Sequence, residues 1–134
     1  MFVLTNDGRI EYVAADPQKV QAVMQLLFGD VETLLAAPLS FAEVLYYAAM
    51  IHLVFVKIHP FEDGNGRTAR LLEKWFMAQK LGDKAWFVQS ERYYYEHHHQ
   101  YYTNIRQLGL EYDSLNYAAA LPFLLMLPAS VGMR

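Results

Sequence analysis

The segment His59 to Arg70 joins two apolar runs at helical spacing, and that connection constrains the fold more than any other feature of the chain. Upstream, Leu45, Ala48, Ala49, His52, Phe55 and Val56 recur at the intervals of one helical face. Ser40 with Glu43 three residues on forms a capping box, in which each side chain takes up an unpaired backbone N–H of the first turn. A long helix is therefore predicted from about Phe41. Pro60 disfavours helical geometry in the residue before it, so this helix should stop at His59. Downstream, Gly64, Asn65 and Gly66 lead into a second helix from Arg67 to about Leu81, with Leu71, Leu72, Trp75, Phe76 and Leu81 apolar and Gly82 as its C-terminal cap. Two core helices joined in this way imply a mainly α fold.

Around that pair the punctuation is clear. Phe2 to Thr5 and Arg9 to Val13 are short β-prone runs on either side of Asn6-Asp7-Gly8, and an Asp-Gly pair there predicts a β-hairpin. Asp16 followed by Pro17 reads as a helix start, with Val20, Val23, Met24 and Leu27 at helical spacing up to a stop at Gly29. A tyrosine-rich stretch runs from Ser90 to about Leu108, a last helix bent at Pro122 spans Ser114 to about Leu127, and Pro128 to Arg134 reads as a disordered tail. With 134 residues, no repeat and no low-complexity linker, residues 1–134 are expected to form one domain.

Composition narrows the function classes. Hydrophobic residues make up 54% and charged residues 19%, the balance of a packed body. The eleven Lys and Arg residues are scattered and the formal net charge is -3, which argues against a nucleic-acid partner. The absence of cysteine removes disulfides, thiolate metal sites and cysteine nucleophiles, and suits a reducing compartment. Met1 to Arg9 has no secretory pattern, which favours the cytoplasm. The longest apolar run, Tyr117 to Met126, contains Pro122 and is too short for a hydrocarbon core of roughly 30 Å, so no membrane span is expected.

The connecting segment carries the chemistry. A helix entrance holds several backbone N–H groups without carbonyl partners and the positive end of the helix dipole, so it attracts anions. Gly64 and Gly66, on either side of Asn65, let those amides approach a phosphate closely. Arg67 and Arg70 lie three apart on the first turn, where two guanidinium groups can serve one polyphosphate. Asp63 offers a hard oxygen of the kind Mg²⁺ takes when one carboxylate, substrate phosphates and waters hold it. His59, whose side-chain type has an ordinary pKa of about 6.5, can take a proton from an incoming hydroxyl near neutral pH. The set suits in-line displacement at phosphorus, with catalysis by positioning and charge stabilisation.

In this sequence His59-Pro60-Phe61-Glu62-Asp63-Gly64-Asn65-Gly66-Arg67-Thr68-Ala69-Arg70 resembles the signature of the Fic family at every specified position. The resemblance extends from about Phe2 to Tyr102 and weakens after Gly82. It implies a Fic-like helical bundle with an N-terminal β-hairpin flap at about residues 2–13. It also implies transfer of AMP from ATP to a Tyr, Thr or Ser hydroxyl of a target protein. In that scheme His59 is the general base and Asp63 holds Mg²⁺. Gly64, Asn65 and Gly66 grip the α- and β-phosphates, Arg67 meets the β-phosphate, Arg70 the γ-phosphate, and Phe61 is the buried anchor of the loop. The flap docks the target segment by strand addition. The resemblance offers Tyr94, Tyr101 and Tyr102 as candidates for lining the adenine site without assigning any one of them, while the tyrosine-rich stretch from Tyr93 to Tyr102 reads first as packing and helix-surface aromatic content.

Two departures qualify the resemblance. Similar proteins have helical material before the flap, whereas this chain begins almost at it. The alternative reading is therefore an inactive or truncated nucleotide-binding Fic module acting through a protein partner. Many Fic proteins also carry an inhibitory Ser/Thr-x-x-x-Glu-Gly/Asn helix. No Ser or Thr here has Glu four residues on, so inhibition comes from a separate small antitoxin, from an upstream segment, or does not exist, and the antitoxin in trans is the preferred expectation.

Other residues have plainer roles. His52, on the inward stripe, reads as a hydrogen-bonded core histidine. His97, His98 and His99 are consecutive, and helical neighbours point about 100° apart, so they do not converge on one ion. Glu62 is expected to be exposed.

Overall fold

Helix α2, Phe41–Ile58, runs through the centre of the protein. The computed structural model describes residues 2–4 and 10–132, with side chains from Tyr12 onward. The capping box at the start of α2 is formed: Ser40 Oγ accepts from Glu43 N at 3.2 Å and Glu43 Oε1 accepts from Ser40 N at 2.9 Å. The whole inward stripe read from the sequence is buried. With 18 residues and a mean hydropathy of 1.6, α2 is long and apolar enough to cross a bilayer by length and composition. Most of its apolar residues instead lie in or against the core cluster with those of the surrounding helices, while Phe41 and Tyr46 near its start are exposed. It ends where Pro60 demands, with His59 in the left-handed conformation at φ 54° and ψ 61°.

The most extensive packing joins α2 to α3, Asn65–Leu81. Gly82 closes α3 at φ 90°, the backbone state that glycine adopts without a Cβ clash. The buried face of α3 differs from the stripe read in the sequence. It runs through Ala69, Glu73, Phe76 and Met77, while Leu71 is 59% exposed. A charged residue on that face hid the register.

Helix α1, Val20–Ala36, both starts and ends later than the sequence predicted. Asp16 makes an Asx turn instead of the cap, its Oδ1 accepting from Gln18 N at 3.0 Å. Gly29 passes through the helix in open surroundings, where an interior glycine costs only about 1 kcal/mol relative to alanine.

The tyrosine-rich stretch divides into α4, Ser90–Glu96, and α5, His98–Arg106. The expected bent C-terminal helix is instead a pair of 3-10 turns at Tyr112–Ser114 and Tyr117–Ala119, then α6, Leu121–Leu124, and α7, Met126–Val131. Pro122 and Pro128 each fall in the first turn of a helix, where a missing N–H leaves no helical bond unmade. The segment from Pro128 to Val131, expected as the start of a disordered tail, is thus helical.

Strands β1, Phe2–Leu4, and β2, Ile10–Val13, pair antiparallel with Phe2 opposite Val13 and Val3 opposite Tyr12. The Asn6-Asp7-Gly8 turn lies outside the described residues. The end of β2 is tied to the body by Val13 N donating to Leu110 O at 2.7 Å and Ala15 N donating to Ile58 O at 3.3 Å.

A buried polar cluster crosses the core. Glu73 Oε1 accepts from the Tyr94 hydroxyl at 2.7 Å and lies 3.1 Å from His52 Nδ1, and His52 Nε2 is 2.7 Å from the Tyr101 hydroxyl. Those contacts link α2, α3, α4 and α5. His52 is therefore a hydrogen-bonded core residue, as the sequence indicated. Tyr94 and Tyr101, at 3% and 6% exposed, belong to this cluster. Tyr102 alone of the three is exposed, at 46%.

Candidate active site

The end of α2 and the start of α3 meet in one loop, and its shape follows from a few local bonds. Asn65 is buried, with its side-chain amide used twice on Phe61: Nδ2 donates to Phe61 O at 2.7 Å and Oδ1 accepts from Phe61 N at 3.0 Å. This pair, not burial of an aromatic ring, pins the loop. Phe61 is 50% exposed, which corrects the expectation of a buried anchor. It also gives the Asn65 side chain a structural duty, so its contribution to an anion site falls to its backbone N–H.

Gly64 caps α3 at φ 83°, and its carbonyl accepts from Thr68 N at 2.9 Å and Thr68 Oγ1 at 2.8 Å. The two arginines fold back over the two glycines. A Cβ built on Gly64 would lie 3.3 Å from an Arg67 guanidinium nitrogen, and one built on Gly66 would lie 3.0 Å from Arg70 Nη1. Each glycine therefore leaves room for the guanidinium group three or four residues ahead. Gly64→Ala is expected to destabilise the fold by about 1–3 kcal/mol, because it combines a left-handed backbone with that close approach. Urea denaturation checks this, and a change below about 0.5 kcal/mol would show that the loop relaxes freely.

Arg67 is mostly exposed and pairs with Asp63 at 3.3 Å, a contact between flexible side chains that adds little stability. Among the described residues, no hydrogen bond or ion pair engages the half-buried Arg70 guanidinium. Its charge does reach inward, opposing the burial that raises the Tyr94 and Tyr101 hydroxyl pKa values. The site thus presents two cations and the N–H groups of the first turn of α3 beside an exposed carboxylate.

His59 stands at the other edge, half-buried, its Nδ1 3.4 Å from the hydroxyl of Tyr12 on β2 and its ring edge-on to the tyrosine ring. Burial holds its pKa below the ordinary imidazole value. A neutral imidazole at pH 7 follows. The sequence reading did not single out Tyr12. The signal was Pro60, which leaves the Val56 carbonyl without a helical donor for a nearby hydroxyl to fill.

The three consecutive histidines lie elsewhere. His97 stacks on Tyr93 at 4.1 Å and its Nδ1 sits 2.9 Å from Tyr93 O, while His98 Nδ1 lies 3.2 Å from Tyr95 O. Among the described residues, no group of three or more His, Cys, Asp or Glu side chains converges on one point.

Comparison with known proteins bears on this arrangement. A protein adenylyltransferase Fic from Culex quinquefasciatus is 50% identical over 50 residues, covering 37% of this chain and 10% of that protein. A second, from Aedes aegypti, is 73% identical over 26 residues, covering 19% and 5%. The chain therefore spans a small part of these curated relatives. A crystal structure of a Fic domain-containing signaling protein from Bacteroides thetaiotaomicron superposes with a TM-score of 0.67 at 26% identity, over 97% of this chain and 48% of that one. The mainly α bundle with a small hairpin is thus the fold of a Fic domain. The family model described as Fic/DOC family matches residues 3–77, more than half of the sequence, and the chain belongs to that family.

Proposed function

We propose that this chain is a protein adenylyltransferase, moving AMP from ATP to a Tyr, Thr or Ser hydroxyl of a target protein and releasing pyrophosphate. The observation that carries the proposal is the placement of Arg67 and Arg70 over Gly64 and Gly66 at the entrance of α3, one loop away from a neutral His59. A triphosphate suits this array, since its β- and γ-phosphates supply the acceptors that Arg67 and Arg70 can take. Arg67 would exchange its weak contact with Asp63 for the β-phosphate, and Arg70 would take the γ-phosphate. The N–H groups of Asn65 and Gly66 would hold the α- and β-phosphate oxygens.

Asp63 suits Mg²⁺ bound partly by substrate. Its carboxylate side chain is 93% exposed, and ATP phosphates and water would complete the coordination, as is usual for Mg²⁺ held by one carboxylate. Mg²⁺ would supply neutralisation of charge on the phosphate oxygens and orientation of the leaving pyrophosphate. The imidazole of His59 takes the proton of the target hydroxyl as its oxygen attacks the α-phosphorus. The bond from that phosphorus to the bridging oxygen breaks, and pyrophosphate leaves with the bonding electron pair. The residues of the loop do not enter a covalent intermediate.

The target segment is proposed to dock on the β1–β2 hairpin by strand addition, with the chain working in the cytoplasm and held in check by a small antitoxin protein. The test is incubation with a cell lysate and Mg²⁺ and ATP labelled at either the α- or the γ-phosphate. Protein bands labelled from α but not from γ support AMP transfer. Labelling from γ alone would replace it with phosphotransfer, and ATP binding without labelling would favour a nucleotide-binding module.

The rate should also depend on pH in one direction. The lowered His59 pKa means that the proton-accepting form persists as pH falls through the ordinary imidazole value of about 6.5. Transfer should be lost only through a pKa below that value. A kcat/KM profile with its acid midpoint at or above 6.5 would contradict the assignment of His59 as a buried neutral base.

A further inference from the structure

The carbonyl of Val56 lacks the donor that a helix would give it, because the residue four positions on is Pro60, which has no N–H. Tyr12, 5% exposed and carried by β2, supplies the replacement, its hydroxyl donating to Val56 O at 2.8 Å. The same hydroxyl oxygen is 3.4 Å from His59 Nδ1. Lys57 helps to hold the ring, with Nζ 4.6 Å from the ring centroid and also donating to Gly109 O at 3.1 Å.

A hydroxyl has one proton. Given to Val56 O, it is not available to His59, so the Tyr12 oxygen can meet Nδ1 only as an acceptor. Nδ1 must then carry the proton of the neutral ring. The opposite tautomer would set a nitrogen lone pair against an oxygen lone pair.

We propose that Tyr12 is a positioning residue that fixes His59 as the Nδ1–H tautomer and leaves the Nε2 lone pair as the base. The inference rests on the reading of His59 as the proton acceptor, and it adds which nitrogen acts and why. Proton balance follows: Nε2 takes the hydroxyl proton of the target, and the resulting imidazolium keeps its Nδ1–H bond to Tyr12. Pro60 thus has two effects on the base. It ends the helix at His59, and it opens the carbonyl that draws Tyr12 beside it. The hairpin proposed to receive the target also carries the side chain that orients the base.

The test is ¹⁵N NMR of the histidine rings in the unliganded chain, with the His59 signals assigned by their loss in His59→Gln. Above the imidazole pKa, His59 should show a protonated Nδ1 and an unprotonated Nε2. Tyr12→Phe keeps the ring beside Lys57 but removes the acceptor, and should give a mixture with the Nε2–H form. In the transfer assay it should lower kcat about tenfold with KM for ATP within about twofold. This falls well short of the loss seen when an enzyme's base is held in the wrong tautomer, because the ring is released and not inverted. A wild-type Nε2–H signal, or an unchanged tautomer in Tyr12→Phe, would overturn the proposal. The spectra need no turnover, so they decide this question even if AMP transfer is not found.

Discussion

His59→Ala should abolish AMP transfer, lowering kcat by roughly 1,000-fold, while ATP affinity stays within about twofold. General-base catalysis by a positioned side chain is worth about 10² to 10⁴ in rate, and the loop offers no substitute of the right kind. Asp63 is the exposed partner of Arg67 and is assigned to the metal. Tyr12 has its proton engaged with Val56. ATP affinity is spared because its proposed contacts come from α3 and the loop, while His59 faces the incoming hydroxyl. Calorimetric titration of ATP alongside the transfer assay checks both halves. A rate within tenfold of wild type would place the base elsewhere, and a matching collapse of ATP binding would make His59 part of the nucleotide pocket.

The conformation of His59 supports a functional reading. Glycine is the residue that most often occupies a left-handed position after a helix, yet histidine stands there at φ 54°, the one such non-glycine residue among those described. A left-handed residue with a Cβ carries a penalty of roughly 1–2 kcal/mol. Local preference and the residue present disagree here. Such disagreements concentrate at sites kept for chemistry.

The signals that proved readable in the sequence were local and bounded by punctuation. Ser40 and Glu43, Pro60, and Gly82 each fix a backbone event within a few residues of themselves, and each event occurs where it was read. His52 was legible for a different reason: a polar residue on an apolar stripe requires partners, whoever they are. Their identity was hidden, because Tyr101 lies 49 residues away in sequence and Glu73 lies 21 away. The misreadings share a cause. Asp16, Gly29, Pro122 and Pro128 were each given their commonest meaning, and the tertiary setting selected another, such as an Asx turn or a first-turn proline. At the loop, glycine and arginine spacing pointed to a place where the guanidinium groups of Arg67 and Arg70 lie over Gly64 and Gly66, whereas nothing in the spacing told that Asn65 would serve the backbone of Phe61. The flap strand was visible in the sequence, but its Tyr12 contact to α2 was not, since it depends on the pairing of β2 with the body.

Glu73→Ala should lower stability by about 3–5 kcal/mol, the range found when one partner of a buried polar pair is removed. For a chain of 134 residues this corresponds to a Tm lower by roughly 10 °C or more. The reason is what remains behind. Glu73 is fully buried, and without it the Tyr94 hydroxyl and His52 Nδ1 both lose an acceptor in the middle of the core. Glu73→Gln keeps an oxygen for both donors, so its cost should be nearer 1–2 kcal/mol. It will not be zero, because Glu73 Oε2 has no hydrogen-bond partner and an amide nitrogen placed there would be an unsatisfied buried donor. The difference between the two variants separates hydrogen bonding from volume. If both cost less than about 1 kcal/mol by urea denaturation, apolar packing alone holds the four helices. If Glu73→Ala is much the worse, the cluster fixes the roll of α3 against α2. Arg70, one turn before Glu73, then owes its place at the mouth of the site to a carboxylate that never meets the substrate.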